Sequence, residues 1–326
     1  MVRSTTWGAV ATALLILAPP TARVATATGI VPLELSGVSA DSVPGSAAGA
    51  PDSSLRDSLR DSALAAPSLR GSTPKSGLGA RAKRAVGSFV SDGWVVVTSP
   101  CRVRGAGLVW AGAAIGVEAA LFANDQEISD AVVRNREAPV FGGLIDVGSS
   151  IEPVGFMGRT NPIYVGALAA GYALNVRALR TIPTEILESH LLAGGVRNLG
   201  KVIVGRRHPY ENAGPYEFDF GHGTSFPSGH TSVVFELATI ASMNAHLLPV
   251  TIVAYSLATS LALQRIESGN HWPSDVFIAA VYGTLVSRTV VKLHETREKE
   301  RGRTTSLLPR FSDDGRLVGV QLMRRF

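Results

Sequence analysis

A series of apolar segments with helical spacing, separated by proline and glycine, is the feature that most constrains the fold of this chain. Hydrophobic residues make up 45% of the chain and aromatic residues only 6%, a composition that suits closely packed helices better than sheets. We therefore predict an all-α helical bundle, ordered from about residue 85. The predicted helices are 102–123, 125–136, 140–157, 162–180, 183–204, 228–246, 250–267 and 273–296.

The N-terminal part of the chain has the pattern of an exported protein. In residues 1–27, Arg3 precedes an apolar run from Trp7 to Ala18, and Ala25-Thr26-Ala27 offers small residues for cleavage, as in a signal peptide. Residues 28–84 are rich in Ser, Ala, Pro and Gly, and they predict a disordered linker because they bury too little apolar surface to fold.

The remainder divides into the predicted helical domain, 85–298, and a C-terminal segment, 299–326. The C-terminal segment begins with a charged tail and ends with two apolar stretches on either side of Asp314-Gly315. An Asp-Gly pair between such stretches is typical of a β-hairpin turn. We predict a small hairpin there.

Location relative to a membrane stays open between two interpretations. The stretches Thr160–Val176 and Leu247–Leu263 are free of charge over 17 residues, the lower edge of a membrane-spanning length. Most other helices contain charges, which are costly in lipid. A soluble domain in the periplasm or cell envelope is favoured, while basic residues after the last helix leave membrane association or integration open.

Charge and cysteine content exclude several classes of function. The net charge of +5 is spread out, without a basic run interleaved with aromatic residues, so a nucleic-acid partner has no support. Cys101 is the only cysteine, which excludes an internal disulfide framework and disfavours a cysteine-based metal site. We expect no metal ion and no cofactor.

A first candidate cluster lies where the helix 183–204 ends. Lys201, Arg206, Arg207 and His208 there lead into a loop rich in glycine and proline. Such cations could hold a phosphate by charge-assisted hydrogen bonds. They could also serve only to cap the C-terminus of the helix.

A second cluster, Pro227-Ser228-Gly229-His230, opens the next apolar helix. The N–H groups of a first helical turn point at an anion bound there, and Gly229 allows a close approach. His230 could donate a proton to an oxygen that leaves the anion. The alternative is an ordinary helix start with an incidental histidine.

A third cluster consists of Arg265, His271 and Asp275. His271 and Asp275 are four residues apart and can face one another at a helix start. A carboxylate bonded to one imidazole nitrogen leaves the other nitrogen free as a nucleophile. The alternative is a surface ion pair between Arg265 and Asp275.

The connecting helices bring these clusters together in the predicted bundle. The chain leaves the second cluster along one helix, turns at Pro249 and returns to Arg265. We expect all three clusters at one end of the bundle, where they could form a single site.

The combined pattern resembles the type 2 phosphatidic acid phosphatase (PAP2) superfamily, which includes bacterial acid phosphatases and vanadium haloperoxidases. The resemblance covers Lys201 to Asp275 and implies a helical bundle with a phosphohistidine mechanism. It implies His271 as nucleophile, Asp275 as its orienting partner and His230 as the acid. The residues that it implies for binding the phosphoryl oxygens are Lys201, Ser228, Gly229 and Arg265.

Two positions depart from the family pattern. His208 stands where an arginine is expected before Pro209, and Gln264 stands where a serine is usual. A histidine is charged only below about pH 6.5 unless its pKa is raised. Arg206 or Arg207 could substitute for the missing arginine, or a charged His208 could give an acidic optimum.

Hydrolysis of a phosphomonoester, including a lipid phosphate or pyrophosphate, is the function that these residues favour. Two alternatives stay open. Vanadate, a phosphate mimic, could occupy the same pocket in a haloperoxidase. A protein of the envelope could instead bind phosphate without turnover.

Overall fold

A computed structural model describes residues 78–302, 305–311 and 317–324, which are mostly helical. The described residues from Val86 onward belong to one compact unit. The helices are α1 (Leu78–Thr98), α2 (Ala106–Ala123), α3 (Asp125–Arg134), α4 (Pro139–Ile151), α5 (Met157–Ala173), α6 (Arg177–Val204), α7 (Gly229–Ala245), α8 (Leu248–Glu267) and α9 (Pro273–Gly302). Short 3-10 turns cover Pro100–Arg102, Glu152–Gly155 and Pro209–Glu211.

The two ends of the chain are only partly described. Helix α1 begins at Leu78, before the expected start of order at residue 85, while the predicted signal peptide and nearly all of the predicted linker lie outside the described residues. Strands β1 (Thr305–Phe311) and β2 (Leu317–Arg324) pair antiparallel. The turn expected at Asp314-Gly315 lies outside the described residues, so the hairpin stays a prediction.

Two predicted helix boundaries are wrong. Pro162 and Pro183 were expected to begin helices but lie inside α5 and α6. A proline inside a helix removes one backbone hydrogen bond, and tertiary packing can override that preference. The chain breaks instead at the 3-10 turn Glu152–Gly155, after which Phe156 is extended and α5 begins.

The core surrounds helix α7, which packs against α8 and α9. Its largest cluster draws buried side chains from α2, α3, α4, α7, α8 and α9, with Ile145, Phe235 and Leu261 almost fully enclosed. Two smaller clusters join α9 to α1, α6 and α7. Helices α7 and α9 are thereby fixed side by side with their N-terminal ends anchored in the core.

Two described helices are long and apolar enough to cross a bilayer. One is α2, of which the protein buries only 6%, and the other is Pro273–Glu300 within α9, of which half is buried. Because half of this segment of α9 is buried, α9 is also consistent with a helix of the protein core. Helix α2 leaves Leu108, Val109, Trp110 and Ile115 exposed.

Close approach of α4 and α8 depends on Gly148, and this gives a test of the packing. A Cβ at Gly148 would lie 2.2 Å from the Ser260 carbonyl oxygen, whereas one at Gly143 on the same helix would meet nothing within 4 Å. We expect Gly148→Ala to lower the free energy of unfolding by about 1–3 kcal/mol, as overpacking does. Gly143→Ala is the control and should leave it unchanged or slightly higher because alanine favours helix. Thermal unfolding of both variants measures this, and equal stability would contradict the packing.

Candidate active site

The three sequence clusters meet at one end of the bundle. Lys201 Nζ donates to the carbonyl of Thr224, just before the second cluster. The Ser228 N–H donates to the Asp275 carbonyl over 3.1 Å, which joins the second and third clusters. The loop after Val204 and the loop before Pro273 therefore close around the N-terminal end of α7.

His271 is buried and held in one tautomer. Its Nδ1 lies 2.8 Å from the Ser225 carbonyl oxygen, which can only accept, so Nδ1 carries the hydrogen. The Asp275 carboxylate oxygen Oδ2 lies farther from Nδ1, at 3.9 Å. Nε2 is left as the lone-pair nitrogen. The hydrogen bond that fixes the His271 tautomer is therefore made to the Ser225 carbonyl. The sequence had predicted that the Asp275 carboxylate would make it.

Burial also keeps His271 uncharged. Loss of solvation lowers the pKa of His271 to about 4, although the negative charge of Asp275 opposes this shift. At neutral pH the imidazole is therefore a neutral ring with a free Nε2 electron pair. That is the form a nucleophile requires.

Asp275 is fully buried and its carboxylate is fixed from several sides. Oδ2 accepts a 2.5 Å hydrogen bond from Ser225 Oγ and a 3.0 Å bond from the Trp272 N–H. Oδ1 accepts a 2.8 Å bond from Arg206. Asp275 therefore has little rotational freedom next to His271.

The start of α7 carries the second cluster. Ser228 is at the N-cap, but its hydroxyl bonds the Thr231 hydroxyl at 2.9 Å instead of capping the helix through the backbone. Gly229 begins the helix, with its N–H among the free donors of the first turn. His230 follows and packs against Gly155, where a Cβ would lie 2.9 Å from the imidazole Cδ2. This close approach requires a glycine at 155.

His230 is also uncharged in the free protein. Burial, and next the charge of Arg265, lower the pKa of His230 to about 4, and Glu152 opposes this shift. At neutral pH His230 thus holds no extra proton. A bound phosphate would add the negative charge that raises this pKa.

Two cations face the same end of the bundle. Burial, and next the charge of Arg197, lower the pKa of Lys201 to about 8, so the ammonium stays mostly charged at neutral pH. Arg265 is buried and pairs through Nη1 with the carboxylate of Glu152. Glu152 comes from the 3-10 turn before α5 and was not among the residues predicted from the sequence.

The sequence prediction of Arg206 as a phosphate ligand is not supported. Its guanidinium is fully buried and makes five hydrogen bonds, two of them to the Pro215 carbonyl. The others go to Ser274 Oγ, Asp275 Oδ1 and Asp125 Oδ2, at 2.7, 2.8 and 2.6 Å. A guanidinium has five N–H donors, so none remains for a substrate.

Arg207 and His208 are also engaged elsewhere. Arg207 is half-exposed and pairs with Glu211 at 3.3 Å and Glu217 at 4.0 Å. His208 Nδ1 bonds the Asn270 carbonyl and its Nε2 lies 3.0 Å from Thr224 Oγ1. Burial lowers the pKa of His208, opposite to what a charged substitute for arginine needs. His208 nevertheless borders the site, since its ring centroid lies 5.2 Å from that of His271.

A separate group of potential metal ligands lies in the described part of the chain. Ligand atoms of Asp92, Glu188 and His294 come within 4.8 Å of one another. Arg297 already pairs with Asp92, and His294 Nε2 lies 2.8 Å from Glu188. These residues come from three helices, which is why sequence spacing did not reveal the group. Its ion pairs explain the cluster without a metal.

A family model covers the part of the chain that contains this site. The model of the PAP2 superfamily matches residues 183–299, which include every residue predicted for the site. Residues 183–299 belong to the PAP2 superfamily. A lipid A 1-phosphatase of Porphyromonas gingivalis is 33% identical to the chain over 97 residues, 29% of this chain. The match spans 20% of the length of that relative.

Two solved structures resemble the chain more distantly. Aquifex aeolicus LpxE has 18% identity and a TM-score of 0.38, covering 52% of this chain and 94% of its own. A transmembrane PAP2 type phosphatidylglycerolphosphate phosphatase from Bacillus subtilis has 20% identity and a TM-score of 0.39, covering 64% and 96%.

The state of His208 gives a pH prediction. Because burial lowers the pKa of His208 below its ordinary value of 6.5, the ring is mostly neutral above that pH. We expect the ratio of kcat/KM between the wild type and His208→Gln to stay flat from about pH 7 to 8. The ratio is measured with a chromogenic phosphomonoester. A wild-type advantage that disappears as pH rises through this range would show instead that a charged His208 contributes.

Proposed function

We propose that this chain is a metal-independent phosphatase that hydrolyses phosphomonoesters through a phosphohistidine at His271. The observation that carries the proposal is the neutral His271 ring, with Nδ1 held by Ser225 and Nε2 free, beside the N-terminal end of α7. An anion at that helix end would meet the Gly229 N–H and the positive end of the helix dipole.

The first step transfers the phosphoryl group to the protein. Nε2 of His271 attacks phosphorus, and the bond from phosphorus to the leaving oxygen breaks. The charge of the bound phosphate raises the pKa of His230, which takes up a proton from solvent and gives it to that oxygen, so that the oxygen leaves as an alcohol. Lys201 and Arg265 would stabilise the charge on the phosphoryl oxygens, as cations do in other phosphoryl transfers.

The second step regenerates the protein. Water attacks phosphorus while His230 accepts a proton from it, and the bond from phosphorus to Nε2 breaks. Orthophosphate leaves and His271 returns to its neutral form. Asp275, fixed by its own hydrogen bonds, would stabilise the cationic ring that exists between the steps.

A lipid phosphate is the substrate class that the surroundings favour. A cavity of about 200 Å³ between the 3-10 turn, α7 and α8 is lined only by apolar side chains. Its lining includes Ile151 and Val154, on either side of the Glu152 that pairs with Arg265. An alkyl chain in this cavity would leave its phosphate next to Arg265.

Exposed α2 supports a position at a membrane. An 18-residue apolar helix of which the protein buries 6% leaves a surface that lipid would cover at lower cost than water. We place α2 in the bilayer. This reverses the sequence-based preference for a soluble domain.

Replacement of the reacting groups tests the chemistry. We expect His271→Ala to abolish hydrolysis of a chromogenic phosphomonoester in EDTA, and Asp275→Asn to reduce kcat by roughly 100- to 10,000-fold. In the wild type, acid-labile phosphate from a labelled substrate should be trapped on His271. His246→Asn, at the opposite end of α7 in a left-handed position that asparagine tolerates, is the control and should keep full activity.

Four outcomes would contradict the proposal. Turnover that survives His271→Ala would exclude His271 as nucleophile. Loss of activity in EDTA would point to a metal. Phosphate binding without turnover at any pH would favour a non-catalytic protein, and bromide oxidation after vanadate loading would favour a haloperoxidase.

Membrane placement is tested on α2 itself. Val109 is 71% exposed on α2, and Val133 is 54% exposed on α3, whose ten residues are too few to span a bilayer. We expect Val109→Asp to reduce flotation of the protein with phosphatidylethanolamine–phosphatidylglycerol vesicles, because a charge in lipid costs about 2.5–3.5 kcal/mol. Val133→Asp is the matched control and should float like the wild type. Equal flotation of both variants would refute the placement of α2.

A further inference from the structure

A buried network behind His271 links the candidate nucleophile to a helix outside residues 183–299. Arg206 joins Asp275 to Asp125, the first residue of α3, and all three side chains have no exposure to solvent. The distances are 2.8 Å from Arg206 to Asp275 and 2.6 Å from Arg206 to Asp125.

Asp125 also holds the first turn of α9, the helix that carries Asp275. Its Oδ1 accepts the Ser274 N–H at 2.8 Å, and its Oδ2 accepts the Ser274 hydroxyl at 2.6 Å. A carboxylate at a helix N-terminus satisfies a free N–H and opposes the positive end of the dipole. Asp125 thus acts on Asp275 both through Arg206 and through the backbone.

Two aromatic rings also hold the guanidinium of Arg206 in place. Its guanidinium carbon lies 4.8 Å from the centre of the Phe122 ring and 5.5 Å from that of Trp272. Trp272 follows His271 directly, and its indole N–H donates to the Arg207 carbonyl at 3.0 Å. Arg206 therefore packs against Trp272, the neighbour of His271 in the chain, and against Phe122 of α2.

We propose that Asp125 and Arg206 are positioning residues for the pair His271 and Asp275. This inference rests on the proposed function. Arg206 aims one oxygen of Asp275 away from His271 and leaves the other oxygen toward it. Because every donor of Arg206 is already bonded, the arginine acts through Asp275 and does not touch the phosphate.

The geometry predicts an effect on turnover without an effect on phosphate binding. Lysine at 206 keeps the charge but loses the fork that reaches Asp125 and Asp275 together. Asparagine at 125 keeps the shape but loses the charge. Each change would move the Asp275 carboxylate while Lys201, Gly229 and Arg265 stay in place.

The experiment compares Arg206→Lys and Asp125→Asn in the full-length chain with two controls on the exposed side of α3, Arg134→Lys and Asp130→Asn. We expect kcat to fall roughly 10- to 100-fold in the first two variants, the size of effect that small misplacements produce. The dissociation constant of inorganic phosphate, measured by calorimetry, should stay within about twofold of the wild type because ground-state contacts are unchanged. The controls should match the wild type in both.

Two results would overturn the inference. Wild-type kcat in both variants would show that the network does not position the site. A loss of phosphate affinity equal to the loss of kcat would make Arg206 a substrate ligand. If either variant fails to fold, Ser274→Ala, which removes only one hydroxyl from the network, decides by the same two measurements.

The same measurements distinguish failure of the proposed function from failure of the positioning role. A wild type that neither hydrolyses phosphomonoesters nor binds phosphate would refute the phosphatase itself. A wild type that does both, with unchanged variants at 206 and 125, would refute only the positioning role.

Discussion

The buried ion pair between Arg206 and Asp275 is the interaction on which the arrangement of the site depends. A buried charge is tolerated only when it is paired and hydrogen-bonded, and here both conditions are met at every polar atom of the guanidinium. The pair ties the loop after α6 to the start of α9. Asp275 is also bonded to Ser225 and Ser228, so the same residue connects this loop to the start of α7.

The sequence predicted the convergence of the three clusters because helix lengths and turns determine where the chain returns. The sequence did not show that the neighbouring residues Arg206 and Arg207 have different roles. Arg206 lies in an extended segment paired with Phe218, and successive side chains of extended backbone point to opposite sides. Arg206 therefore points inward to the carboxylates and Arg207 outward to Glu211, a difference set by pairing partners distant in sequence.

The sequence also did not reveal contacts between residues that lie far apart in the chain. Asp125 reads in the sequence as an acidic residue in a first helical turn, which the dipole alone explains. Its contact with Ser274 spans 149 positions of the chain. Likewise, Pro162 and Pro183 look like helix boundaries, and only the packing of α5 against α6 shows that both helices continue through them.

Charge balance at Arg265 adds one requirement to the proposed reaction. Arg265 is paired through Nη1 with Glu152 when no phosphate is bound, so a phosphate that binds at this nitrogen must displace a carboxylate. The two partners are unequally free to move, since the Glu152 side chain is 42% exposed and that of Arg265 only 6%. The Glu152 carboxylate can be hydrated when it leaves Arg265. The buried Arg265 guanidinium cannot be hydrated to the same extent and needs an anion as partner. The exchange therefore replaces one anion with another beside a cation that does not move, so Arg265 keeps a charged partner throughout.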